Sequence, residues 1–394
     1  LRRIRTDQSV KIRFDPSNPW FLLLFLNRKM LGCLTAIPKE PKLILPRMRA
    51  HDIRYVQVAR AGHLESDGIV VLDDTREPRT VYLDGAYKLS DELRAAGTLP
   101  QYAGAHRCSI KFKAWTIQKW IAQELAGEPY RHAIGYNAEE QRRIEKSDLA
   151  FAEREPVRVA FGFNANEGER IGKARAYDTP LRRGWYPLAE ELGWDRDACQ
   201  RYLKEITGET FLRSACTFCP FNNLKEDGIA RLRRHPEKVA EALLLEYQSL
   251  CLNPRGTLYR NRTLLSIIVA NHHAETLRHF RMRLEEAEYA LYRVRRIYNA
   301  PGRADRAVER LETGSRGEMN NRFERISSSL GVRVEHDIRY GYVREREPDC
   351  YPAVEEFFVV APAAIESKTR YGFDWFEAKW REALGETGQD RLFD

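Results

Sequence analysis

Long apolar runs are missing from this 394-residue chain. A membrane-crossing helix needs about 20 such residues. The best run here, Trp20 to Leu26, stops at once in Asn27, Arg28 and Lys29. It is also too short for a secretory apolar core, and Asp15 and Pro19 sit badly for one, so a cytoplasmic chain is expected. Cysteine is scarce and odd in number: Cys33, Cys108, Cys199, Cys216, Cys219, Cys251 and Cys350. That usage excludes a secreted disulfide scaffold. In a reducing compartment a close pair such as Cys216 and Cys219 is more often a metal or redox site.

What is present is a globular balance, 43% hydrophobic and 31% charged, which excludes a disordered chain. Lys and Arg number 65 against 57 Asp and Glu, a net charge of +8. A basic balance suits phosphate-bearing partners, nucleotides or nucleic acid. An arginine-preferring genome explains it equally well.

Residues 1–46 form an atypical segment that mixes basic residues, prolines and one apolar burst. Regular patterning starts near Ile53, where Ile-Arg-Tyr-Val-Gln-Val alternates as a strand does, and Gly68 to Thr75 forms a second β-rich run. Ser90 opens a helix that ends near Gly97, with Pro100 beyond it. Lys113 to Leu125 has amphipathic helix spacing. Val157 to Phe163 reads as a strand, and Asp195 caps a helix running to Ile206. The stretch from Leu224 through about Leu291 is expected to be helical. Strands at Gly331 to Val343 and Glu356 to Val360, then a helix from Trp375 to Leu384, complete the chain. These patterns divide it into 1–46, an α/β domain over 47–223, and a helical then α/β region over 224–394.

The segment Ile134-Gly-Tyr-Asn-Ala-Glu-Glu-Gln-Arg-Arg-Ile resembles Phe161-Gly-Phe-Asn-Ala-Asn-Glu-Gly-Glu-Arg-Ile. Both read as strand-to-loop turns in which Gly and Asn tolerate positive φ. At the C-terminal ends of neighbouring strands such turns bind ligands, which makes Asn137, Arg143, Asn164 and Arg170 candidate nucleotide or anion contacts.

The strongest chemical motif is Arg213-Ser-Ala-Cys216-Thr-Phe-Cys219-Pro-Phe. Cysteines three apart on a turn direct both sulfurs at one ion, as zinc and iron–sulfur sites require. They supply half a tetrahedral site. Cys108, in His106-Arg-Cys-Ser-Ile-Lys-Phe-Lys, is the first choice for a further ligand. Cys199 is an alternative that reads equally as a small core residue. His106, Arg107, Lys111 and Lys113 surround Cys108 beside a helix start and form a phosphate or sulfate cradle, or an ordinary solvated turn. His272 and His273 are adjacent on an expected helix, where neighbours face different ways and rarely share one ion. Tyr289 to Tyr298 interleaves Arg with Tyr. That pattern suits nucleic acid, but an amphipathic helix with Tyr and Ile inward is the preferred reading.

In order, the Cys-Ser-x-Lys-x-Lys segment, the Ile-Gly-Tyr-Asn-Ala-Glu turn, Tyr186-Pro-Leu with Gly193-Trp-Asp-Arg, and Ser-Ala-Cys-x-x-Cys-Pro-Phe resemble phosphoadenosine-phosphosulfate (PAPS) reductase-like proteins of the adenine nucleotide α-hydrolase superfamily. The resemblance covers about Ile53 to Phe221. It implies a Rossmann-like parallel α/β sheet, with a mainly helical C-terminal extension here. It implies ATP or an adenylyl sulfate as ligand and sulfur transfer or sulfonucleotide chemistry. It further implies a [4Fe–4S] cluster, with zinc as the alternative, on Cys108, Cys216 and Cys219. Ser109 stands where the reductases have a second cysteine, leaving one iron open or held by another residue. The family's Ser-Gly-Gly-x-Asp-Ser loop is absent, as is its catalytic cysteine near the C-terminus. The simplest expectation is a chain that lost its first strand and loop. The alternatives are a metal-stabilised nucleic-acid-binding protein without enzymatic activity, or an inactive family member.

Overall fold

The structure is a computed structural model. It describes residues 40–50, 52–82, 85–100, 193–209, 226–259 and 262–386, with shorter pieces at 24–25, 108, 111–112, 115–124, 132–133, 157–160, 172, 175, 182–185, 219–221 and 224. The chain divides into two compact units: Leu1–Met30, Ala36–Lys88 and Ala105–Ser214 make one, and Leu31–Thr35, Leu89–Gly104 and Ala215–Asp394 make the other.

In chain order the described elements begin with β1 (Leu24–Phe25), α1 (Glu40–Ala50), β2 (Tyr55–Arg60), β3 (Ile69–Thr75) and α2 (Leu89–Ala96). Next come α3 (Trp115–Glu124), β4 (His132–Ala133), β5 (Val157–Ala160), β6 (Arg182–Trp185) and α4 (Arg196–Thr207). Four helices follow: α5 (Glu226–Arg233), α6 (Pro236–Leu252), α7 (Leu264–Ala270) and α8 (Ala274–Glu286). The chain then forms β7 (Tyr289–Ala300), β8 (Arg303–Gly314), α9 (Arg316–Ser327), β9 (Gly331–Glu335), β10 (Ile338–Arg344), β11 (Ala353–Pro362) and α10 (Phe373–Ala383). No helix among the described residues is long and apolar enough to cross a membrane.

In the first unit every residue of β2 is buried. Its alternation serves two small cores. Val56 and Val58 pack on Trp120 of α3, while Tyr55 on the opposite face packs on Leu45 and Met48 of α1. Asp195 accepts the Ala198 amide at the start of α4, and Gly208 closes that helix at φ +74°, as the sequence pattern requires.

The expected Rossmann-like parallel sheet is corrected by the strand pairing. β2 and β3 form an antiparallel hairpin, from Tyr55 opposite Thr75 to Arg60 opposite Ile69. Their connection is a short turn closed by Ala61 N–H donating to Gly68 O at 3.1 Å, whereas a parallel crossover needs a dozen or more residues. Among the described residues, parallel pairing is confined to runs of two to four residues in β1–β2 and β4–β5–β6. The principal sheet lies in the other unit. Its order is β8-β7-β11-β10-β9 and every pairing in it is antiparallel.

The segment Tyr289 to Tyr298, expected as a helix, is the twelve-residue strand β7 of that sheet. Both faces of β7 are covered, so apolar residues occur at odd and even positions and neither period stands out. Tyr292 and Val294 join Leu250, Leu252 and Phe357 in one core. Tyr289 and Leu291, on the opposite face, meet Met319 and Phe323 of α9. Further along that face, Ile297 and Ala307 meet Phe376 and Trp380 of α10. Gly331 to Val343, expected as a strand, folds as the hairpin of β9 and β10 through His336 and Asp337, both at positive φ. His272 and His273 sit between α7 and α8 rather than on a helix.

Candidate functional site

Most of the predicted ligand-binding residues lie outside the described residues: His106, Arg107, Lys113, Asn137, Arg143, Asn164, Arg170 and Cys216. Cys108, Cys199 and Cys219 are half-buried. Among the described residues no group of three or more His, Cys, Asp or Glu is placed to hold a metal ion. Thiol donors are soft and suit zinc or an iron–sulfur cluster once deprotonated. Burial and the Asp195 carboxylate push the Cys199 thiol up, which opposes the thiolate a metal requires.

Lys111 and Phe112 precede α3 in the chain, and the Thr116 hydroxyl donates to Phe112 O at 3.3 Å. Phe112 is buried. The Lys111 ammonium lies 6.0 Å from its ring centre, and the Arg60 guanidinium lies 5.8 Å from the same ring. Arg60 is the last residue of β2, only 1% exposed, with its guanidinium 4.6 Å over Trp115 at the start of α3. Its Nε donates to Gly62 O at 3.0 Å and its Nη2 to His63 O at 2.8 Å.

The turn after β2 is built to present those two carbonyls. Asp67 accepts the Leu64 amide at 2.8 Å. A Cβ at Gly62 would stand 2.3 Å from an Asp67 carboxylate oxygen, so a side chain there would displace Asp67. His63 Nδ1 lies 2.9 Å from the Tyr87 hydroxyl, and Tyr87 stacks on Phe112 at 5.9 Å. The contacts therefore close a ring: Arg60, the turn, Tyr87, Phe112 and back to Arg60. Sequence reasoning found Lys111 and missed Arg60. No local pattern marks Arg60, which simply ends the strand β2.

In the second unit the basic and aromatic pattern of β7 is answered from within. Arg295 meets Glu309 at 2.7 Å and Glu377 at 2.9 Å, with its guanidinium 5.3 Å from both Phe376 and Trp380. Arg296 meets Glu355 at 2.6 Å, and Arg293 donates to Glu356 at 2.6 Å. These arginines serve the sheet and do not form a free cationic stripe. A small charged cleft beside them is lined by Arg255, Arg333, Arg346, Glu335, Glu345 and Glu355. The Arg255 and Arg296 cations hold the Glu355 carboxyl below the usual carboxylate range despite its burial.

No family model matches the chain, and no curated protein or solved structure matches it either.

Proposed function

We propose that this chain is a cysteine-ligated metalloprotein of the PAPS-reductase-like lineage that takes an adenine nucleotide, ATP or an adenylyl sulfate, into sulfur-transfer chemistry. Cys108, Cys216 and Cys219 would carry a [4Fe–4S] cluster, with zinc as the alternative. The observation that carries the reading is the cationic and aromatic cradle of Arg60, Lys111, Phe112 and Trp115, whose last three members follow Cys108 closely along the chain. Fixed cations favour anionic substrates, and thiolates where a thiol lies beside them. The order of motifs from the Cys108 segment to the Cys216–Cys219 pair supports the lineage, which therefore rests on motifs and not on the sheet.

The nucleic-acid reading has less support, because Arg293, Arg295 and Arg296 are engaged by carboxylates within the fold.

The test is anaerobic purification followed by measurement of iron, acid-labile sulfide and zinc, beside a Cys216→Ser/Cys219→Ser double variant. Iron with sulfide in the wild type, lost in the variant, is the expected result. Zinc lost in the variant would make the site structural and remove the sulfur-transfer part of the reading. No metal in either protein refutes it.

A further inference from the structure

We propose that Arg60 anchors a binding site for a tetrahedral oxyanion, a phosphate or sulfate group, in the first unit. This site is built on Arg60 itself and does not depend on a metal at the cysteines.

The starting point is one atom. Arg60 Nη1 is buried and has no hydrogen-bond partner. The guanidinium is planar with five N–H donors, and here the Nε and Nη2 edges are used by the Gly62 and His63 carbonyls. The aromatic contacts with Trp115 and Phe112 engage the ring of charge without accepting those N–H bonds. What is left unmet is a pair of in-plane donors on Nη1, together with a full positive charge.

That charge has no carboxylate among the described residues. This sets Arg60 apart from Arg295 and Arg296, which are also deeply buried and each meet glutamates. A buried cation without a counter-charge is strongly unfavourable, and one whose donors are also unmet is more so. The turn fixes Arg60 through two carbonyls, so the group is held ready instead of being free to reach solvent. Such preorganisation is what an anion site requires. A guanidinium fork suits phosphate and carboxylate alike. The second cation at the same ring, Lys111, favours an oxyanion carrying two charges over a carboxylate carrying one.

The test is calorimetric titration of the full chain with sodium phosphate, sodium sulfate and sodium acetate, at ionic strength matched in chloride. The wild type is expected to bind phosphate or sulfate saturably and acetate far more weakly. Arg60→Lys, which keeps the charge and loses the fork, is expected to weaken binding by about ten- to a hundredfold. Arg60→Met, which fills the space without charge, is expected to abolish it, with the far-ultraviolet circular dichroism spectrum retained. If the Met variant does not fold, the Lys variant decides: weaker binding supports the site and unchanged affinity overturns it. Saturable binding of acetate alone, or of none of the three anions, also overturns the proposal. Competition between phosphate and AMP separates the two sources of the group. Displacement assigns it to a nucleotide, and independent binding assigns it to a free oxyanion. Because the readout is anion binding, its failure leaves the metal measurement above unaffected, and the reverse holds too.

Discussion

Glu246 offers the sharpest test of how the second unit is held together. It lies in α6, is 1% exposed, and accepts three backbone amides: Leu258 at 3.1 Å, Leu264 at 2.8 Å and Leu265 at 3.1 Å. Two of these belong to the first turn of α7, whose amides have no partner within the helix. One carboxylate thus fastens the connection after α6 and caps the next helix, beside the Thr263 hydroxyl that accepts Ser266 N–H at 3.0 Å. Glu246→Ala orphans all three donors. A buried donor left without a partner costs about 1–3 kcal/mol, and water entering the vacated space recovers part of that. The expected loss is about 3–6 kcal/mol, a large share of the roughly 5–15 kcal/mol that holds a domain folded. Glu246→Gln keeps one acceptor oxygen for Leu258 and Leu264 and turns an amide group toward Leu265 N–H, so about 1–3 kcal/mol is expected.

The sign of the pH effect follows from the same geometry. Burial raises the Glu246 carboxyl above its ordinary value, and the three amides only partly oppose it. Between the unfolded and folded values the native state binds more protons, so stability from this group falls as pH rises through that window. Glu246→Gln should remove that slope. The assay is equilibrium urea unfolding at several pH values, with hydrogen exchange at Leu258, Leu264 and Leu265. A Glu246→Ala protein within about 1 kcal/mol of wild type, with those amides still protected, would refute the reasoning.

Glu377 gives the opposite sign: its hydrogen bond to Arg295 holds it below the ordinary carboxylate value. Its contribution is present above the unfolded value and lost as pH falls through the folded one, so Glu377→Gln should show a smaller drop in urea midpoint between neutral and acid pH than wild type. Gly97 ends α2 at φ +53°, and an added Cβ would stand 2.6 Å from Leu252 Cδ1 and 2.8 Å from Ile365 Cδ1. Gly97→Ala should therefore cost about 2–4 kcal/mol by urea unfolding, against about 1–2 for Gly302→Ala, which meets only the left-handed backbone penalty.

The local elements were legible where one physical signal dominated. Asp195 opens α4 as read, because a carboxylate cap has few other uses. Gly97 closed α2 because a left-handed glycine has few other uses. β7 was not legible, because a strand covered on both faces loses its period of two. Its arginines looked solvent-facing until Glu309, Glu355, Glu356 and Glu377 were brought to them by distant parts of the chain. The sheet type failed for a related reason. Alternating strands at residues 55–60 and 69–75 are compatible with either direction of pairing, and only the short closed turn between them decides for the hairpin.

The site shows the same limit from the other side. Cys216 and Cys219 announce themselves by spacing, and Lys111 by its basic neighbours, because both signals are local. Arg60 carries no local signal at all. Its meaning comes from Gly62 and His63 turning their carbonyls back onto it, from Trp115 and Phe112 arriving some fifty residues later in the chain, and from the carboxylate that does not arrive. A charge is read from sequence as a surface property, since most arginines keep their heads in water. When burial removes the water and no described carboxylate replaces it, the remaining way to balance the group is a ligand, and that is a conclusion only the fold supplies.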